Sequence, residues 1–461
     1  MGQFDDLDKS LDGWLIKSEN YQALNTILPK FKEQVQTIYI DPPFNLGTNA
    51  DYFYNVNYKD ANWATLLENR LKLAKDWLNK KGSIFVRCDY NGNWIVRCLM
   101  DEAFDKELIN EIQVNTTQKV FEGVHGYNIA TNSLFWYGKE HDIYISPQRV
   151  KREDVYWLEC HSGGERRPPE RIFFGKKLLP PKGRHWTFIQ EKIDKMISEG
   201  RIRIKEDKEY VDMNGKMVKG MPEYQISENK LLTSNWTDIL GYTSTTGFQT
   251  ENAEKLLFRV VKTASQDRDI IFDFFLGSGT TTAVAHKLGR KWLGVEMGEH
   301  FYTVVLPRMK KVLAYDKSGI SKDLKTPRQT SSDTPLQEGN YYQGGGFFKY
   351  YELEQYEEAL ANCKYDDGDL FNAPGRSPYQ EYVFMKDEKM LKTLEIDYEK
   401  EKIKVDLTKL YPSIDIAETL SNLTGKRIKK ISNDEVKFED GTKINLEDLD
   451  YKLIKPLIWW E

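Results

Sequence analysis

The sequence predicts an α/β protein built on a parallel sheet, interrupted by a middle segment of different character and followed by a small α+β region. Three observations predict it. Short β-branched runs alternate with amphipathic helical stripes, the order expected of βαβ units. The same pattern occurs twice, around residues 35–88 and again around 256–312. Between the two blocks, residues 149–245 are rich in Arg, Lys, Gly, Pro and aromatic side chains.

The elements follow in order. Residues 35–40 (VQTIYI) read as a strand halted at Asp41-Pro42-Pro43-Phe44, because proline supplies no N–H donor and fixes φ. Trp63, Leu66, Leu67, Leu71, Ala74, Trp77 and Leu78 recur at three- and four-residue steps, the buried stripe of a helix, with Gly82 as its stop signal. SIFVRC (83–88) is a second strand with Asp89 just past its end. Downstream, Leu256, Leu257, Val260, Val261 and Ala264 form a helix face, and 270–276 (IIFDFFL) is an apolar strand. Gly277-Ser278-Gly279-Thr280-Thr281 then opens a helix that runs to Leu288. Trp292 to Val295 make the next strand, closed by Glu296, and a helix runs from about Glu299 to Val312. Residues 314–346 read as a polar linker, and 347–461 as a C-terminal α+β domain.

Composition narrows the function classes. The 461 residues carry 66 Lys and Arg against 71 Asp and Glu, a net charge of −5. This balance excludes a globally basic coat for nucleic acid but not a local basic patch. Between Arg166 and Arg184, seven basic residues (Arg166, Arg167, Arg171, Lys176, Lys177, Lys182, Arg184) stand against one acid, Glu170, with Phe173, Phe174 and Trp186 interleaved. Glycine, proline and aromatics mixed with positive charge suit phosphate contact and groove-reading loops. No apolar run is long enough for a membrane helix, and the acidic start MGQFDDLDKS lacks the zones of a signal peptide. The four cysteines (Cys88, Cys98, Cys160, Cys363) are widely spaced, so neither a disulfide framework nor a metal site is expected.

Two motifs carry chemistry. A glycine turn between strand and helix brings backbone close to a ligand and offers free N–H groups. Glu296, nineteen positions after Gly277, ends the following strand, where an acid commonly accepts from ribose hydroxyls. A P-loop is excluded, since no Lys-Ser or Lys-Thr follows the turn. In Asp41-Pro42-Pro43-Phe44 a carboxylate, a carbonyl and an aromatic ring fall within four residues. That set suits a planar exocyclic amine, binding its two N–H groups while the ring stacks.

At these motifs the chain resembles the S-adenosylmethionine-dependent amino-methyltransferases of DNA, whose catalytic motif is (D/N/S)PP(Y/F/W) and whose cofactor motif is similar to Asp273–Thr281. The order of catalytic block, basic middle and cofactor block resembles the β class. Trp236-Thr237-Asp238-Ile239, Thr250 with Leu256-Leu257, Gly294-Val295-Glu296, and the stretch from Gly344 to Leu353 extend the likeness to the modification (Mod) subunits of type III restriction–modification systems. The resemblance implies a circularly permuted, Rossmann-like methyltransferase fold: catalytic half 1–148, target-recognition domain 149–245, cofactor half 246–313. It implies methyl transfer to adenine N6, because Asp-led motifs in the family mostly go with adenine and Ser-led ones with cytosine N4. Asp41, Pro42, Pro43 and Phe44 would then be catalytic. Asp273, Phe275, Gly277, Ser278, Gly279, Thr280 and Glu296 would hold S-adenosylmethionine, with Glu19 or Asn20 at its adenine edge. The implied partners are double-stranded DNA, with a restriction (Res) subunit and a second copy left open, in the bacterial cytoplasm and away from membranes.

The chain departs from the pattern at Asn252-Ala253, where relatives carry Lys-Pro, and at Ser18-Glu19-Asn20, where they show Gly-Asp-Asn. Its arm before Asp41 is shorter than in typical Mod subunits, which implies a truncated or solitary relative. Three rival readings remain: a cytosine-N4 methyltransferase, a NAD-type oxidoreductase and a catalytically idle DNA-binding module. The oxidoreductase explains the glycine turn and Glu296 but neither Asp41-Pro42-Pro43-Phe44 nor the basic middle.

Overall fold

The computed structural model describes residues 4–43, 60–116, 127–244, 246–248, 250–324, 342, 344–353, 413–447, 449 and 453, and the backbone of Leu394–Asp397 and Lys402–Val405. The described chain forms two compact units, one of residues 1–146 with 234–461 and the other of 147–233.

The first unit is organised by a nine-stranded sheet. Its strands in chain order are β1 (Gly13–Lys17), β2 (Val35–Ile40), β3 (Leu78–Cys88), β4 (Leu108–Asn115), β5 (Thr131–Gly138), β6 (Asn235–Leu240), β7 (Ile270–Asp273), β8 (Lys291–Glu296) and β9 (Phe348–Glu352). Across the sheet they run β6-β4-β5-β3-β2-β7-β8-β1-β9. β2 and β7 are buried along their whole length, as strands covered on both faces must be. β5 lies antiparallel to both β3 and β4, so the mainly parallel sheet has one reversed strand. An antiparallel pair needs no crossover, and β4 and β5 pair from Leu108 with Tyr137 to Asn115 with Thr131.

The helix Asp60–Trp77 buries Trp63, Leu67, Leu71, Ala74 and Trp77, the face its spacing predicts. It ends without Gly82, which lies inside β3, because Leu78 already starts that strand. β7 stops at Asp273, and Phe274 to Gly279 form the turn into the helix Thr280–Lys287. From β2 the chain crosses through Asp60–Trp77 to β3 on one side, and from β7 through Thr280–Lys287 to β8 on the other. The crossovers diverge between β2 and β7. In Rossmann-like sheets this divergence opens a crevice at the carboxyl ends of the strands.

Several expected boundaries move. β6 belongs to the large sheet through its parallel pairing with β4, so residues 234–244 belong to the first unit. β9, expected in the C-terminal domain, pairs in parallel with β1. The start of the expected linker is packed: Asp316 and Ile320 are buried, and Lys287 donates to Asp316 at 2.9 Å. In the C-terminal region the helix Ile416–Thr424 packs with an antiparallel sheet of Ile428–Ile431, Glu435–Phe438 and Lys443–Asn445, an α+β arrangement.

The 147–233 unit has its own core of Cys160, Phe173, Trp186, Ile193, Met196, Ile202, Tyr210 and Met221. Among the described residues, no helix is long and apolar enough to cross a membrane and no cluster of metal-ligating side chains occurs. Cys88, Cys98 and Cys160 are free thiols.

Candidate active site

Three acids stand at the carboxyl ends of adjacent parallel strands: Asp41 after β2, Asp273 at the end of β7 and Glu296 at the end of β8. β2 and β7 pair at Ile38 and Phe272, and β7 and β8 at Asp273 and Gly294. The register thus brings the two sequence motifs side by side at the divergence of the sheet. Burial pushes the Asp273 carboxyl up to about 7, and the charges of Asp41 and Glu296 push in the same direction. Burial would raise Glu296 too. His300 at 3.3 Å and the Gly298 and Gly277 N–H groups outweigh it and hold Glu296 below the usual carboxylate range.

Asp41 is held from behind. Asn252 Nδ2 donates to its Oδ2 at 2.9 Å, while Asn252 Oδ1 accepts from the Tyr39 hydroxyl and from Arg87 Nη1, both at 2.8 Å. Arg87, wholly buried, lies 3.9 Å from Asp41 Oδ2 and stacks on the Tyr242 ring at 3.7 Å. The other carboxylate oxygen, Oδ1, is buried with no hydrogen-bond partner among the described residues. A buried acceptor left open is costly unless something donates to it, so it marks a ligand position. Burial raises the Asp41 carboxyl above its ordinary range, against the opposing pull of Arg87 and Asn252. The neighbouring Pro43 carbonyl is taken by Trp63 Nε1 at 2.7 Å, which fixes the turn to the Asp60–Trp77 helix.

The glycine turn is shaped by two left-handed residues, Gly277 at φ +57° and Gly279 at φ +79°, where a side chain would be strained. Gly277 N–H donates to Glu296 Oε2 at 2.8 Å, tying the turn to the acid of the next strand. Asp273 accepts from Phe275 N–H at 2.9 Å and from the Thr281 hydroxyl at 2.6 Å. Ser278 and Thr280 share a hydroxyl contact of 3.0 Å, and Arg308 Nη1 donates to Thr280 Oγ1 at 2.9 Å while paired with Glu251 at 2.8 Å.

The sequence matches the DNA methylase family over residues 35–306, more than half of its length. The chain belongs to that family. Among curated relatives, the chain is 26% identical over 426 residues to the probable type III restriction-modification enzyme HindVI Mod subunit of Haemophilus influenzae, a match covering 75% of the chain and 54% of that protein. It is 26% identical over 312 residues to the type II methyltransferase M.EcaI of Enterobacter cloacae, covering 61% and 66% respectively. With the EcoP15I Mod subunit of Escherichia coli the identity is 21% over 370 residues, covering 62% and 57%. The chain therefore spans less than two thirds of the length of these relatives.

In the structure, Asp41, Asp273, Gly277, Ser278, Gly279, Thr280 and Glu296 converge on one end of the sheet. Pro42 is buried and Pro43 half-buried beside Asp41, and Phe44 lies outside the described residues. Phe275 is half-buried against the core and Phe274. Glu19 caps the helix Asn20–Thr26 through Gln22 N–H and pairs with Arg70. Asn20 donates to the Phe274 carbonyl at 2.9 Å, which attaches that helix to the glycine turn. In the 147–233 unit, Arg166, Arg167, Lys176, Lys177, Lys182 and Arg184 are exposed. Arg171 is not free in the same way: its guanidinium is spent on the carbonyls of Phe188, Pro168 and Glu170. Phe173 and Trp186 are core, packed edge to face at 5.0 Å, rather than groove-reading.

Sequence reasoning missed Arg87, Tyr39, Tyr242 and Arg308. The signal for Arg87 was present as one charge inside the apolar run SIFVRC. A buried arginine in a strand must find acceptors nearby. Asn252 was visible only as a departure from Lys-Pro.

Proposed function

We propose that this chain transfers a methyl group from S-adenosylmethionine to the N6 amino group of adenine in double-stranded DNA. One observation carries the reading: Asp41, with a buried and open Oδ1, stands beside the glycine turn and its two acids at the divergence of the sheet. The residues fit the cofactor. Asp273 and the Gly277–Thr280 turn suit its methionine end, Glu296 its ribose, and Glu19 or Asn20 its adenine edge. When bound, S-adenosylmethionine supplies an electrophilic methyl group on a sulfonium.

Asp41 Oδ1 accepts one amine hydrogen and the Pro42 carbonyl the other, which aims the nitrogen lone pair. Phe44 stacks on the base. A base paired in a duplex cannot reach this position, so it must be extruded. The gain comes from positioning and from fixed dipoles, and Asp41 need not be a strong base. Exposed Arg166, Arg167, Lys176, Lys177, Lys182 and Arg184 suit phosphate contact. Adenine is favoured over cytosine N4 by the aspartate that leads the motif, since the family takes in both chemistries. Two of the relatives are named Mod subunits, which supports a restriction subunit as a partner, and a second copy is compatible with the same reading.

The test is long-read detection of modified bases in DNA from cells expressing the chain alone, beside Asp41→Ala. N6-methyladenine at a defined site, lost in D41A with cofactor binding retained, is expected. N4-methylcytosine instead would overturn the choice of base, and turnover by D41A equal to wild type would overturn the site.

A further inference from the structure

In the 147–233 unit, Arg171–Phe173 and Lys176–Leu178 pair antiparallel with Phe173 opposite Lys176, leaving Phe174 and Gly175 as a two-residue turn. Both turn residues are left-handed, Phe174 at φ +50° and Gly175 at φ +80°. That geometry favours Asn-Gly, and a bulky side chain at its first position is strained. The base of the hairpin is clamped. Phe173 is buried against Trp186, Arg171 is bonded to three carbonyls, and Gln190 bonds the backbone of Ile172 on both sides, at 2.7 and 2.9 Å. The tip is not packed: Phe174 is 51% exposed and Ile172 43%. Lys176 and Lys177 flank it, exposed, and among the described residues Lys177 makes only a surface pair, with Glu170 at 2.8 Å. Neither core packing nor turn preference accounts for a phenylalanine there. Strain kept at a rigid, exposed point is a mark of function.

We infer that the Phe174 tip is a wedge for double-stranded DNA, its ring packing on base or sugar faces while Lys176 and Lys177 meet the phosphates. The inference rests on the methylase reading for its partner. The charge beside the tip matches that partner, and an apolar wedge with flanking cations is a known way to open a base step.

The test uses the full chain and a labelled mixed-sequence duplex, read by fluorescence anisotropy over a range of salt. Phe174→Asn creates the Asn-Gly that the turn prefers, so its melting temperature should equal or exceed wild type. Its affinity for the duplex should fall about tenfold with the salt slope unchanged, as loss of a stacking contact predicts. Lys176→Ala and Lys177→Ala should each lower the salt slope by about one. A stable F174N that binds as tightly as wild type overturns the wedge alone. Wild-type protein that fails to bind the duplex overturns the wedge and the methylase reading together.

Discussion

Asn252 commits its whole amide to one arrangement. Two donors, Tyr39 and Arg87, converge on its Oδ1, so its Nδ2 must face Asp41. Asn252 is thus a positioning residue: it occupies one carboxylate oxygen and leaves the other open. Its bond also favours the ionised form of Asp41, against the burial that raises it. Protonation would turn the open Oδ1 from acceptor into donor, so turnover is lost as pH falls through the Asp41 pKa. Asn252→Ala removes one opposing pull, raises that pKa further and moves the acid limb of the kcat profile to higher pH. We expect kcat to drop about tenfold, in line with a lost bond to a charged group, with the KM for cofactor little changed. A wild-type pH profile in N252A would show that Asn252 only fills space.

The helices Glu254–Ala264 and Thr280–Lys287 are joined by charge rather than by oil alone. Lys287, fully buried, donates to Glu254 at 2.9 and 3.0 Å and to Asp316 at 2.9 Å, and Ile320 N–H also reaches Glu254 at 2.9 Å. Glu254→Ala leaves a buried cation short of one partner, and such losses cost about 3–5 kcal/mol. A matching fall in the urea midpoint is expected, and an unchanged midpoint would mean Asp316 suffices. Elements such as β2, with both its ends set by pattern and proline, were legible in the sequence, and the strands that lead to Asp41 and Asp273 do lie side by side. What escaped depends on distant partners. Nothing local in Phe348–Glu352 signals a ninth strand, because its partner is β1. Phe173 and Phe174 are adjacent and chemically alike, and only the hairpin turn sends one inward and the other out. Asn252 reads as a substitution until Tyr39 and Arg87 are seen converging on it.

At the scale of the molecule, the 147–233 unit closes on itself. Arg149–Lys151 pairs antiparallel with Asn229–Leu231, and Leu232 N–H donates to the Gln148 carbonyl at 2.8 Å, so the segment leaves beside the point at which it begins. With its own aromatic core it should fold alone. A polypeptide of residues 147–233 is expected to melt in one cooperative transition with an ordered Trp186 signal. A broad, dye-binding state would count against autonomy. The large sheet obeys the opposite logic. β1 is made well before its two neighbours: β2 to β7 are all translated between β1 and β8, and β9 comes later still. On the ribosome that ribbon must wait, bare-edged, while the strands between it and β8 are made. Nascent chains of this kind are exposed to mispairing over that whole interval, and a chaperone that shields the β1 edge would raise the yield of folded protein.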